Sequence, residues 1–214
     1  MLGAGIGRGA MRIINAMVRG LASAGISPNI LTAIGVSINV GCGVLFGMGE
    51  FFWAGIVLIV ANLFDMLDGN VARLAGRVTK FGSFLDSSLD RLSDMVVFLG
   101  IIIFYAGNSP QHSLLNVFLA GVGMIASVMV SYTTARSEGL GVKANVGFLQ
   151  RPERVVLLAI GSLSTWNWDS TSFFANRMPQ VLWVLAIGSL WTMIHRMYFI
   201  WTEFRKMDEP TETK

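Results

Sequence analysis

Apolar runs long enough to cross a bilayer recur from residue 30 almost to the end of the chain, and that recurrence decides the class of fold. A hydrocarbon core about 30 Å thick takes about 20 helical residues to cross. Backbone polar groups in lipid must be satisfied within their own segment, so each run has to be a helix. With 53% of the 214 residues hydrophobic, 14% charged and a mean hydropathy of +0.61, the chain lies outside the range of water-soluble domains. An all-α integral membrane protein with six transmembrane helices is expected. The spans are read at about 30–48, from 51 into a polar stretch, out of it to 105, and at about 114–134, 152–164 and 180–201.

Local signals support those limits. Ser27-Pro28 reads as an N-cap followed by proline in the first helical turn. Gly47-Met48-Gly49-Glu50 reads as a tight turn between the first two spans. Ahead of them, residues 1–26 place Met11, Ile14, Met17, Val18 and Leu21 on one helical face, with Arg12, Asn15 and Arg19 away from it. This predicts an amphipathic helix lying on an anionic leaflet rather than a signal peptide, whose apolar run Arg12 and Arg19 would interrupt. The division expected is 1–26 for this juxtamembrane segment, 27–204 for one six-helix domain and 205–214 for a cytoplasmic tail. Cys42, the only cysteine, sits inside an apolar run, permits no intramolecular disulfide and is expected to be buried.

The polar stretch is DMLDGNVARLAGRVTKFGSFLDSSLD, residues 65–90. Ionisable residues at membrane depth are costly and mark function by default. Asp65 and Asp68 are three apart and Asp86 and Asp90 four apart, so each pair shares one helix face. Four carboxylates held together call for a cation, and an oxygen-only donor set suits Mg²⁺, Mn²⁺ or Ca²⁺ rather than zinc. Gly69 and Gly82 leave room for a phosphate to approach the helix backbone, and Arg73 supplies a fork for phosphate or carboxylate. Fourteen residues separate Phe51 from Asp65 and fifteen separate Asp90 from Tyr105, which is about 21 and 22 Å of helix. Both carboxylate pairs therefore arrive at one depth, below the membrane surface.

In these eight positions, Asp65, Asp68, Gly69, Ala72, Arg73, Gly82, Asp86 and Asp90, the chain resembles the CDP-alcohol phosphotransferases, membrane enzymes that make phospholipids. The resemblance implies that Asp65, Asp68, Asp86 and Asp90 hold two divalent ions, Mg²⁺ or Mn²⁺, against the diphosphate of a CDP-linked lipid such as CDP-diacylglycerol. It also implies that Asp68, Gly69, Ala72, Arg73 and Gly82 bind the nucleotide end of that lipid. Asp90 would act as general base on an acceptor hydroxyl, CMP would leave, and the enzyme would be a homodimer.

The acceptor side is read from the loop at 135–154, ARSEGLGVKANVGFLQRPER, which gathers Arg136, Lys143, Arg151 and Arg154, with Arg196 approaching from the last span. Those charges suit an acceptor carrying its own phosphate, although positive-inside topology alone would also account for them. Within the family, SYTTARSEGLG followed by RPER is most similar to the phosphatidylinositol phosphate synthases, which implies inositol 1-phosphate as acceptor; glycerol 3-phosphate is the alternative polyol. With six spans, 15 of the 16 Lys and Arg residues share one side and Arg177 lies opposite. That side is expected to be cytoplasmic, with both termini and the site facing it in a bacterial or archaeal cell membrane. Membrane lipid is expected as a partner and nucleic acid is not. A cation transporter also places aspartates in the membrane, but it has no evident use for Asp-Gly followed by Ala-Arg, and the two halves show no internal repeat.

Overall fold

The computed structural model describes residues 28–74, 79–144, 146–167 and 176–208, together with Ala16, 18–20 and Gly76; of the helical residues 28, 29, 66, 68, 69, 72, 74 and 167 it describes the backbone alone. Among the described residues there are six α-helices and no strand. They are α1 (Pro28–Gly47), α2 (Phe51–Leu74), α3 (Lys80–Ala106), α4 (Leu114–Gly139), α5 (Arg151–Leu163) and α6 (Met178–Asp208), and a 3₁₀ turn, Ser164–Asn167, continues α5.

The helix starts are written in the sequence. Thr79 caps α3, its hydroxyl accepting from the Gly82 N–H, and Ser113 caps α4 by accepting from Asn116 N–H. Pro152 lies in the first turn of α5, where its missing N–H costs no intrahelical bond. The α1–α2 turn needs glycine, since Gly49 has φ +87° and a side chain there would also meet the Phe104 ring.

Helix contacts run from α1 to α3, α4, α6, α5, α2 and back to α1, closing a ring. Its interior holds Phe46, Phe51, Phe98, Ile101, Tyr105, Leu158, Leu182 and Leu185, all buried. Phe51 meets Phe46 and Phe104 edge-on at centroid distances of 5.2 and 4.8 Å, a favoured aromatic arrangement. The outside carries Ile34, Val44, Trp53, Ile103, Phe118, Ile125, Ile160, Ile187, Trp191 and Ile194, all exposed. An apolar interior with an equally apolar exterior is a fold solvated by lipid.

Among the described residues, three helices are long and apolar enough to cross a membrane by themselves, over Ile30–Gly47, Leu114–Gly139 and Met178–Asp208. In α2 the apolar part is Phe51–Asp65, ending where the carboxylate motif begins. The 13 residues of α5 amount to about 20 Å. Of the amphipathic face expected at 1–26, Val18 is buried with Leu31, Leu67 and Val71, and Arg19 is exposed; Met11, Arg12, Ile14, Asn15, Met17 and Leu21 lie outside the described residues.

Candidate active site

The charged residues gather where the polar ends of α2 and α3 meet the start of α5. Arg151, the first residue of α5, reaches three carboxylates on two other helices. Its Nη2 donates to Asp65 Oδ2 at 2.8 Å, its Nη1 lies 2.8 Å from Asp90 Oδ2, and its Nε donates to Asp94 Oδ1 at 3.3 Å. One turn further along α5, Arg154, only 3% exposed, donates from Nη2 to Asp94 Oδ2 at 3.1 Å. Asp86 stands close enough for its charge to act on both Asp65 and Asp90. Two separate polar stretches, at 65–90 and 135–154, are therefore one site.

The arrangement tests whether a divalent cation fits. Carboxylate oxygens from α2 and α3 converge on one cationic group, Arg151, and the donors are all oxygen. Such a set suits Mg²⁺ or Mn²⁺. With Asp65 and Asp90 turned to Arg151, no group of three His, Cys, Asp or Glu side chains stands in metal-holding geometry among the described residues. The side chains of Asp68 and Ala72 lie outside the described residues, and Gly69 is described only as a backbone position of α2.

The remaining expected residues are distributed unevenly. Arg73, at the exposed end of α2, donates to Asn70 Oδ1 at 3.1 Å. The Gly82 N–H donates to the Thr79 hydroxyl at 2.9 Å. Arg136 and Lys143 are exposed, one on the last turn of α4 and one in the loop beyond it. Arg196 is buried on α6 and clamps the loop to α4: Nε and Nη2 donate to Val146 O at 2.9 and 2.8 Å, and Nη1 donates to Val130 O at 2.9 Å and to the Thr134 hydroxyl. Four donor contacts of the guanidinium are thus made within the protein.

Three residues at the site carry no motif signal. Gly35 on α1 lies so close that a Cβ there would be 3.0 Å from Asp65 Oδ1. Asn39 and Asn62 join Asp94, Arg151 and Arg154 in lining a small cavity on the inner side of the cluster. Their spacing was legible, three residues before Asp65 for Asn62 and four after Gly35 for Asn39, but a small polar face in a membrane helix reads first as packing.

A membrane bundle with carboxylates from two helices gathered at one end, beside arginines, offers oxygen donors for a divalent cation and guanidinium groups for an anion such as phosphate. Residues 25–204 match the CDP-alcohol phosphatidyltransferase family, and the chain belongs to that family. It is a transferase of phospholipid synthesis, and a divalent metal, Mg²⁺ or Mn²⁺, is the family's cofactor. The chain is similar to the phosphatidylinositol phosphate synthase of Streptomyces avermitilis, with 34% identity over 205 residues, covering 94% of this chain and 82% of the relative. The Mycobacterium marinum protein of that description is 36% identical over 194 residues, covering 89% and 80%. Among solved structures, the Mycobacterium tuberculosis phosphatidylinositol phosphate synthase with CDP-DAG bound is 32% identical, with a TM-score of 0.80, covering 89% of this chain and 94% of that one. The same protein in complex with manganese and citrate matches with a TM-score of 0.78 and 32% identity, covering 88% and 89%.

Proposed function

We propose that the protein transfers a phosphatidyl group from CDP-diacylglycerol to the hydroxyl of a phosphorylated polyol, inositol 1-phosphate, and releases CMP. The observation that carries this reading is the convergence of Asp65, Asp90, Asp94, Arg151 and Arg154 from three helices. It places carboxylates suited to divalent ions beside arginines suited to a second phosphate. The similar enzymes are phosphatidylinositol phosphate synthases, one of them solved with CDP-DAG, which supports inositol 1-phosphate over glycerol 3-phosphate.

In this reading Asp65, Asp68, Asp86 and Asp90 hold two Mg²⁺ or Mn²⁺ ions. When bound, these ions neutralise the diphosphate and make its phosphorus electrophilic. Asp68, Gly69, Ala72, Arg73 and Gly82 bind the cytidine end, with Arg73 positioned for a charge-assisted phosphate contact. Asp90 accepts the proton of the acceptor hydroxyl. The hydroxyl oxygen forms the new bond to the phosphorus bearing the lipid alcohol, and the bond from that phosphorus to the bridging oxygen breaks, its electron pair leaving with CMP. Arg136, Lys143 and Arg151 grip the acceptor's phosphate. Arg154 and Arg196 complete that pocket by holding Asp94 and the Val146 backbone in place.

The six helices are proposed to span the membrane together, with 1–26 on its surface, 205–214 as a tail, and both termini and the site facing the cytoplasm. A homodimer is proposed on the family resemblance. The reading is tested by Asp86→Asn in purified protein. Metal-dependent CMP release should be lost while the protein stays folded in the membrane; retained turnover would remove Asp86 from the site.

A further inference from the structure

Arg151 uses its two kinds of nitrogen differently. Nη1 and Nη2 engage Asp90 and Asp65, carboxylates that the proposed reaction gives to divalent ions, whereas Nε engages Asp94, which lies outside the motif. Asp94 is held on its other oxygen by buried Arg154, and Arg154 also donates to Leu149 O at 3.5 Å. Asp94 is thus anchored from the interior, and Arg151 hangs from it by one contact at 29% side-chain exposure. A guanidinium fork matches a carboxylate pair or a phosphate equally well, but not both at once.

We infer that Asp94 is a positioning residue that serves as a pivot, and that the Arg151 fork exchanges between two partners about it. Before divalent ions bind, the fork holds Asp65 and Asp90 together; once the ions take those oxygens, the fork is released to the acceptor phosphate. This rests on the proposed metal role of Asp65 and Asp90. Two consequences follow. Arg151 competes with the divalent ion, so its removal tightens metal binding. Metal and acceptor phosphate help each other bind, because each draws one partner away from the other, and that coupling is reciprocal.

The test measures Mn²⁺ binding to full-length protein in lipid nanodiscs, without substrates, by loss of the free-ion paramagnetic resonance signal. Arg151→Gln should bind Mn²⁺ about fivefold more tightly than wild type, the size expected from removing two partly exposed ion pairs. Lys206→Gln, which removes an equal charge from an exposed pair with Glu203, should leave it unchanged. Sulfate, a soluble tetrahedral dianion, should tighten Mn²⁺ binding to wild type and have no such effect on Arg151→Gln. Unchanged protection of the buried Cys42 thiol establishes that the variant is folded. Arg151→Gln binding Mn²⁺ no more tightly than wild type, or keeping the full sulfate effect, overturns the exchange. Asp86→Asn separates the two levels: Mn²⁺ binding indifferent to it overturns the metal reading, whereas binding that needs Asp86 but not the absence of Arg151 overturns the exchange alone.

Discussion

Replacing Gly100 by alanine should loosen the seam that holds the carboxylate-bearing helix in place. Gly100 on α3 crosses Gly43 on α1, and a Cβ at 100 would lie 2.1 Å from Gly43 O and 3.0 Å from Phe46 Cβ, where Cβ contacts under 3.0 Å are essentially never found. The first obstacle is backbone, so no side chain can rotate away; α1 and α3 must part by about 1 Å, a displacement of overpacking size that costs about 2 kcal/mol. For a chain of this length that corresponds to a fall in melting temperature of about 4–8 °C. Cys42, next to Gly43 and 0% exposed, is the chain's only cysteine, so thermal unfolding in detergent can be followed by reaction of its thiol with a fluorogenic maleimide. Because α3 carries Asp86, Asp90 and Asp94, a shift of about 1 Å should also lower turnover by on the order of 100-fold. Gly121→Ala is the control: a Cβ there meets nothing within 4 Å, and it should melt at or slightly above the wild-type temperature. A Gly100→Ala protein that melts with wild type and turns over normally would refute the packing argument.

Further outcomes concern the charged residues and the metal. Arg73→Ala should raise the apparent KM for CDP-diacylglycerol by about tenfold, the loss of one charge-assisted phosphate contact, in steady-state CMP release; an unchanged value would remove Arg73 from the nucleotide end and would suit a cation carrier better. Arg196→Met should leave Val146 O and Val130 O without their charged donor and destabilise the fold by about 2–3 kcal/mol, read by the Cys42 thiol assay; a wild-type melting curve would show that the clamp contributes nothing. Treatment with a chelator should abolish CMP release, and added Mn²⁺ or Mg²⁺ should restore it in the same sample.

The sequence and the structure agree best where local chemistry decides the outcome. Phe51 and Leu114 begin helices where turn residues end, Thr79 and Ser113 are caps, and α3 runs one residue beyond Tyr105. The apolar pattern predicts a last helix ending near 201, yet it runs to Asp208, because Arg205 and Lys206 suit a helix C-terminus as well as a solvated tail. The carboxylate motif was legible because charges in an apolar chain stand out. What could not be read was the partner of each. Arg136, Lys143, Arg151 and Arg154 look alike as a run of basic residues, and only tertiary packing turns Arg151 toward Asp65, 86 positions away, while Arg136 stays exposed. The charge of Arg196 alone suggests an acceptor residue; its place beneath the Val146 loop depends on how α6 packs on α4. Asp94 lies outside the motif, and its contact with two arginines at once comes from the position of α5.

The most direct measurement is CMP release by the purified protein with CDP-diacylglycerol and Mg²⁺, adding inositol 1-phosphate, glycerol 3-phosphate, free inositol or serine in separate reactions. The account predicts release driven by inositol 1-phosphate, with phosphatidylinositol phosphate as the lipid product. Release driven by glycerol 3-phosphate instead would keep the chemistry and overturn the acceptor, and release with free inositol or serine as readily as with the phosphorylated polyols would contradict the phosphate-binding role given to Arg136, Lys143 and Arg151.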